Sequence, residues 1–192
     1  MTAAGGARPK ASFHAEAIEA VLARAGGASK PLQALLMGGF FGTWIPFHEG
    51  RDAAYSRAGL APLGASPGAG VVIALPAGGC GLLETARILR WYAAESAGQC
   101  GPCVFGLADI ARTTAAVAAG RARAGDIERL HRWTGQIEGR GACRHPDGAV
   151  RLLRSALAVF AADLERHLAG SPCQAAGLPA RVGIPATVED WR

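Results

Sequence analysis

The sequence predicts an α+β fold, with a small mixed region up to about Gly79 followed by helices alone, and three observations carry that expectation. Two short apolar runs, Leu32–Met37, which ends at Gly38-Gly39, and residues 70–75, which open at Gly70, read as buried strands. From Gly81 onward the apolar residues recur at helical spacing. Near the end, Val150, Leu153, Leu157, Phe160, Leu164 and Leu168 recur in steps of three and four, the stripe of a helix packed in a four-helix bundle. With 192 residues, half of them hydrophobic, the chain has ample material for a core.

Taken in order, residues 1–14 are small, polar and glycine-rich, a flexible N-terminus. Residues 15–25 alternate Ile18, Val21 and Leu22 with Glu16, Glu19 and Arg24, which predicts a short amphipathic helix stopped by Gly26-Gly27. The strand at 32–37 runs into the turn Gly38-Gly39-Phe40-Phe41-Gly42. That turn is no phosphate cradle, because it has neither a G-x-G-x-x-G pattern nor a Walker lysine, and Pro46 follows instead of a helix. One or two helical turns are expected over 52–58. The second strand, at 70–75, closes a first region spanning 15–79.

A second region, 80–169, opens with a helix over 82–95 that Gly98 breaks. Pro102 suits the first turn of the next helix, which passes through Phe105, Leu107 and Ile110 to about Ala119. A third helix, 126–136, places Ile127, Leu130 and Trp133 on one face, and the fourth carries the apolar stripe. Residues 170–192, rich in proline and glycine, read as an extended tail with Trp191 near its end.

The net charge of +5 comes almost wholly from arginine, Lys10 and Lys30 being the two lysines, and it is spread along solvated helix faces. There is no basic run with interleaved aromatics, which argues against nucleic-acid binding. The most apolar stretches, 31–47 and 71–83, are interrupted by Gly38-Gly39, Pro46, Pro76 and Gly78-Gly79 and fall short of the roughly 20 apolar residues of a membrane span. With no secretory signal in view, the expected compartment is the cytoplasm, where thiols stay reduced and available to a metal.

Chemistry concentrates in Glu95-Ser96-Ala97-Gly98-Gln99-Cys100-Gly101-Pro102-Cys103 and in Cys143, which follows Cys103 after thirty-nine intervening residues. Two cysteines two residues apart beside a helix N-terminus can aim both sulfurs at one ion or cluster, and the unpaired N–H groups there favour an anionic ligand. Cys100-Gly-Pro-Cys103 also matches a thioredoxin-type dithiol, but that chemistry requires a strand before the first cysteine, and a helix is expected there. An odd cysteine count argues against structural disulfides. On spacing alone, a zinc ion held by Cys100, Cys103, Cys143 and His145 stands level with an iron–sulfur cluster, and inert thiols are a third reading. Cys80 and Cys173 are expected to be free thiols.

The cysteine segment resembles the motif E-S-C-G-Q-C-x-P-C of the NADH-binding flavoprotein subunit of respiratory complex I and its hydrogenase and formate dehydrogenase relatives. The resemblance implies a [4Fe-4S] cluster with Cys100, Cys103 and Cys143 as iron ligands. Ala97 stands where the family has its first cysteine, leaving Ser96, Glu95 and His145 as possible substitutes and implying a labile cluster that loses iron to become [3Fe-4S]. The first region is similar to the family's soluble-ligand-binding β-grasp domain, through Ala25-Gly26-Gly27, then 35–44 ending in Gly42-Thr43-Trp44, then Val71-Val72-Ile73. Only part of that domain is matched, and Ala7-Arg8-Pro9 looks like the remnant of its opening hairpin. The implied fold is a partial β-grasp followed by a four-helix iron–sulfur bundle. The implied role is an electron-transfer domain or subunit of an NADH dehydrogenase, not competent alone, served by a separate flavoprotein or other electron-transfer subunit and binding neither FMN nor NAD itself. A non-catalytic scaffold or ligand-binding module whose cysteines bind zinc or nothing is the rival reading.

Overall fold

The computed structural model describes residues 16–174. The start expected to be flexible, the segment Ala7-Arg8-Pro9 read as a hairpin remnant, and the part of the expected tail beyond residue 174, with Trp191, lie outside the described residues. The first helix, α1 (Ile18–Arg24), ends where Gly26 and Gly27 adopt positive φ. After it come strands β1 (Leu32–Met37) and β2 (Thr43–Pro46), the helical turns α2 (Phe47–Gly50) and α3 (Arg57–Leu60), and strand β3 (Val72–Pro76). The second half is helical: α4 (Gly81–Ala94), a wide π turn at Pro102–Leu107, α5 (Ala108–Ala118), α6 (Asp126–Ile137), α7 (His145–Val159) and α8 (Ala161–Leu168). The described residues form an α+β structure, in keeping with the sequence.

The sheet is antiparallel, in the order β2-β1-β3. β1 pairs Leu36 with Trp44 on one side and with Ile73 on the other. Because side chains alternate along a strand, Ala34 and Leu36 face the helices with Trp44, Ile73 and Leu75. Leu35, Met37 and Ile45 face the other way, onto Ile18, Tyr55 and Leu60. From Ala34 to Met37 the central strand is therefore buried on both faces, which is why that stretch is apolar throughout, while Gln33 before it is only partly buried.

Trp44 fastens the sheet to the helices. Its indole N–H donates to the Thr85 hydroxyl at 3.0 Å, its backbone N–H donates to the Ser155 hydroxyl at 3.0 Å, and its ring lies edge-on to Phe160 at 5.3 Å. Phe160 also occupies the space a side chain at Gly81 would need, since a Cβ there would come within 2.1 Å of the ring. In the helical layer α4 packs against α5 and α7, α6 against α5 and α7, and α8 against α5 and α7.

Two local expectations are corrected, and one strand is added. β2, a stretch to which the sequence assigns no element, pairs with β1, and as an edge strand it tolerates Pro46. Pro46 also precedes a helical turn, α2, where the sequence predicts none, its fixed φ of −62° suiting that position. The long last helix is two helices, broken at Phe160 (φ −105°, ψ 30°) without a glycine or proline to signal it. The break lets Phe160 wedge between Trp44 and Gly81 while α8 turns onto α5.

Candidate metal centre

α4 ends at Ala94, and the chain leaves it through Gly98, whose φ of +62° is the left-handed conformation that glycine adopts without strain. The Ser96 hydroxyl accepts the Gly98 N–H at 3.1 Å, and the Gln99 amide donates to the Ala97 carbonyl at 3.3 Å. The Cys100 carbonyl then accepts the N–H groups of Cys103 at 3.0 Å and Val104 at 2.9 Å, opening the π turn. Pro102 sits in that first turn, where its missing N–H leaves no bond unmade. π turns are common at functional sites, and this one carries Cys103 on its buried side.

Cys100 and Cys103 lie beside each other here, with Cys143 near enough for its charge to act on Cys103. Cys100 Sγ receives the backbone N–H of Ala142 and that of Cys103, which together hold its thiol below the ordinary range. Ala142 is the neighbour of Cys143, so the second cysteine loop reaches the first. Burial pushes the Cys103 thiol up; a bond from the Ser96 side chain opposes this, and the nearby charges of Cys100 and Cys143 add to it. Cys143 is exposed at the rim. Its loop is held by Asp147, whose carboxylate accepts the Gly139 N–H and the Arg144 guanidinium, each at 2.8 Å.

The positions around Ala97 divide clearly. The Ala97 methyl is exposed and has no ligand atom to offer, and Glu95 is exposed at the C-cap of α4. Ser96 lies against Cys103. His145 is engaged elsewhere: its Nε2 lies 2.8 Å from the Tyr92 carbonyl, which can only accept, so that nitrogen carries the proton. Its ring packs on Tyr92 at 4.9 Å and Phe41 at 5.9 Å. The donor set of three thiols with a hydroxyl beside them suits an iron–sulfur cluster, whose thiolates cap separate irons. A Cys3His zinc ion would have to take the other ring nitrogen of His145, Nδ1, and among the described residues His145 is not gathered with the three cysteines as closely as one ion requires.

A second set of ligand-type side chains comes together where no spacing in the sequence links them. Cys80, His167 and Cys173 bring their ligand atoms within 4.8 Å of one another. Neither cysteine is in a disulfide, as expected, but they are neighbours. The chain separation of 87 residues between Cys80 and His167 left no local pattern to find. Burial pushes the Cys80 thiol up to about 12, so it is protonated at neutral pH when no cation stands beside it.

Residues 84–167 match the family model described as the NADH-ubiquinone oxidoreductase-F iron-sulfur binding region. The second F-type component of NADH-quinone oxidoreductase in Rhizobium meliloti (strain 1021) is 30% identical over 81% of this chain and 37% of its own length. The F-type component of the same enzyme in Streptomyces coelicolor (strain ATCC BAA-471 / A3(2) / M145) is 30% identical over 49% of this chain and 21% of its own. The chain thus spans about a third or less of these relatives. Among solved structures, the NAD+-reducing [NiFe]-hydrogenase in the H2-reduced state matches with a TM-score of 0.71 and 26% identity, over 81% of this chain and 26% of that one. Residues 84–167 therefore resemble the iron-sulfur binding region of NADH-ubiquinone oxidoreductase-F subunits, and with its flanking segments the chain resembles the C-terminal part of those subunits.

Proposed function

We propose that the chain is an electron-transfer domain or subunit in which Cys100, Cys103 and Cys143 hold a [4Fe-4S] cluster. The reading is supported by the pairing of Cys100 with Cys103 at a helical turn, with Cys143 in electrostatic reach, in a segment that matches an iron–sulfur family model. When bound, such a cluster takes up and releases single electrons. The chain's own residues do the rest. Cys100 is the readiest thiolate, because two backbone N–H groups already stabilise its charge. Cys103 ionises against its burial and depends on Ser96 and on the metal to do so. The Asp147 bonds keep the exposed Cys143 loop in reach. With no ligand atom on Ala97, the Ser96 hydroxyl beside Cys103 or a water would have to serve the fourth iron.

The first region, 15–79, is a partial β-grasp, supported by its three-stranded sheet and the pattern ending at Trp44; the second, 80–169, is the helical cluster domain, the last of its four expected helices being split into α7 and α8. The electron partner is a flavoprotein or another electron-transfer subunit, as expected of a piece similar to subunits of NADH-quinone oxidoreductases and of a hydrogenase. Among the described residues no helix is long and apolar enough to cross a membrane. The test is anaerobic reconstitution of the 192-residue chain with iron and sulfide. Matching iron and acid-labile sulfide with a reducible paramagnetic centre is expected. Zinc alone, or no metal, at these cysteines would instead make the chain a scaffold.

A further inference from the structure

We propose that Cys80, His167 and Cys173 form a second metal site, separate from the iron–sulfur motif, that binds one zinc ion through two thiolates and an imidazole. The geometry is close to what the ion requires. Ligands at about 2.3 Å (sulfur) and about 2.05 Å (nitrogen) around a tetrahedral zinc lie about 3.6 Å apart. Cys80 Sγ and His167 Nε2 are separated by 3.6 Å.

The imidazole is oriented as a metal ligand. His167 Nδ1 lies 3.3 Å from the Val117 carbonyl, an acceptor, so Nδ1 carries the proton and Nε2 presents its lone pair. A histidine whose far nitrogen donates to a backbone carbonyl is fixed in tautomer and ring angle, as zinc-bound histidines are. That lone pair now accepts the Cys173 N–H at 3.0 Å, and the ion would take its place.

Each sulfur is held from outside the set. Cys80 caps the N-terminus of α4, where its Sγ accepts the Leu83 N–H at 3.4 Å. Cys173 is returned to the site by the turn after α8: Gly170 takes φ +78°, Ser171 N–H bonds to the Arg166 carbonyl at 3.0 Å, and Pro172 closes over Gly120. The Arg166 guanidinium donates to Cys173 Sγ at 3.4 Å. Cys80 and His167 are fully buried, yet Cys173 lines an open cavity of about 760 Å³ beside Asp163 and Gly79, which supplies an access path and a fourth position for water. Binding forms two Zn–S bonds and one Zn–N bond and releases the two thiol protons to solvent. The 2+ ion and two thiolates leave the buried site neutral.

The test uses the full 192-residue chain with Cys100→Ser, Cys103→Ser and Cys143→Ser, so that Cys80 and Cys173 are the remaining cysteines. The reduced, metal-free protein is titrated with Co2+ and then Zn2+ without air. One Co2+ per chain is expected, with sulfur-to-metal charge-transfer bands and tetrahedral d–d bands that one equivalent of Zn2+ abolishes. Cys173→Ser and His167→Gln should each weaken binding by more than the roughly 10–100-fold that loss of an outer partner costs. Should the triple variant fail to fold, zinc content of the otherwise unaltered chain with and without Cys173→Ser gives the answer, the expected difference being one zinc per chain. Absence of thiolate bands, affinity indifferent to both variants, or a Cys80–Cys173 disulfide in a chain whose reduced form binds no metal would overturn the site. Iron content reports separately on the cluster motif.

Discussion

At the scale of single residues, Ala97 decides how durable the proposed cluster is. A methyl side chain cannot ligate iron, so Ala97→Cys is expected to raise iron toward four per reconstituted chain and to slow bleaching of the visible absorbance in air. Equal iron content and equal bleaching in the two proteins would place an oxygen ligand firmly on the fourth iron. Asp147 sets a pH dependence. The Arg144 guanidinium and the Gly139 N–H hold its carboxyl below the usual range. A depressed folded value means stability that is present above the unfolded value, about 3.9, and lost as pH falls through the lower folded one. In urea unfolding of the metal-free chain, the wild-type advantage over Asp147→Asn should therefore be full above about pH 5 and vanish in stronger acid. An advantage unchanged down to about pH 2 would contradict this account.

Among the elements, α4 and α7 meet through a contact that only a glycine permits. A Cβ on Gly148 would come within 2.3 Å of the Phe41 ring and 2.6 Å of the Tyr92 hydroxyl. Gly148→Ala is expected to destabilise by about 1–3 kcal/mol through overpacking, despite alanine's better helix propensity. Denaturant midpoints measure it, and a stabilised variant would show that Phe41, which is partly exposed, simply swings away. The connection from α4 to the π turn depends on Gly98 in another way. A side chain there meets nothing, so Gly98→Ala would cost only the left-handed backbone strain, roughly 1–2 kcal/mol. If the loop shape matters for metal, iron retention falls by more than global stability does.

For the molecule as a whole, the sheet and helices share one continuous core through Trp44, Leu36, Leu75 and Phe160, so the two proposed regions should unfold together. Trp44→Phe removes the bond to Thr85 and leaves a buried hydroxyl that still bonds the Gly81 carbonyl at 2.7 Å. A loss of about 1–3 kcal/mol with a single transition is expected; two separate transitions would mean that the regions are independent. The chain purified by itself is expected neither to take up FMN nor to reduce a dye with NADH, because the glycine-rich turn after β1 lacks the nucleotide-binding pattern. Stoichiometric flavin would contradict that reading.

Local patterns were legible wherever the chemistry is local. The mostly apolar run at 32–37 and the period of 3.6 after Gly81 determined most elements, and the spacing Cys100, Cys103, Cys143 together with the motif's resemblance pointed to iron–sulfur chemistry before any contact was known. The break at Phe160 was not legible, because no glycine or proline marks it, and strand β2 was masked by the glycine turn before it and the proline that ends it; packing against Gly81 and pairing with β1 decided them. Tertiary structure alone also decided which substitutes for the missing cysteine stand close: Ser96 against Cys103, His145 committed to the Tyr92 carbonyl. It alone assembled Cys80, His167 and Cys173, which arrive from the N-terminus of one helix, the last turn of another and the segment after it. Residues so far apart in the chain become neighbours only through burial of a common core, a nonlocal free energy that no short window of sequence expresses.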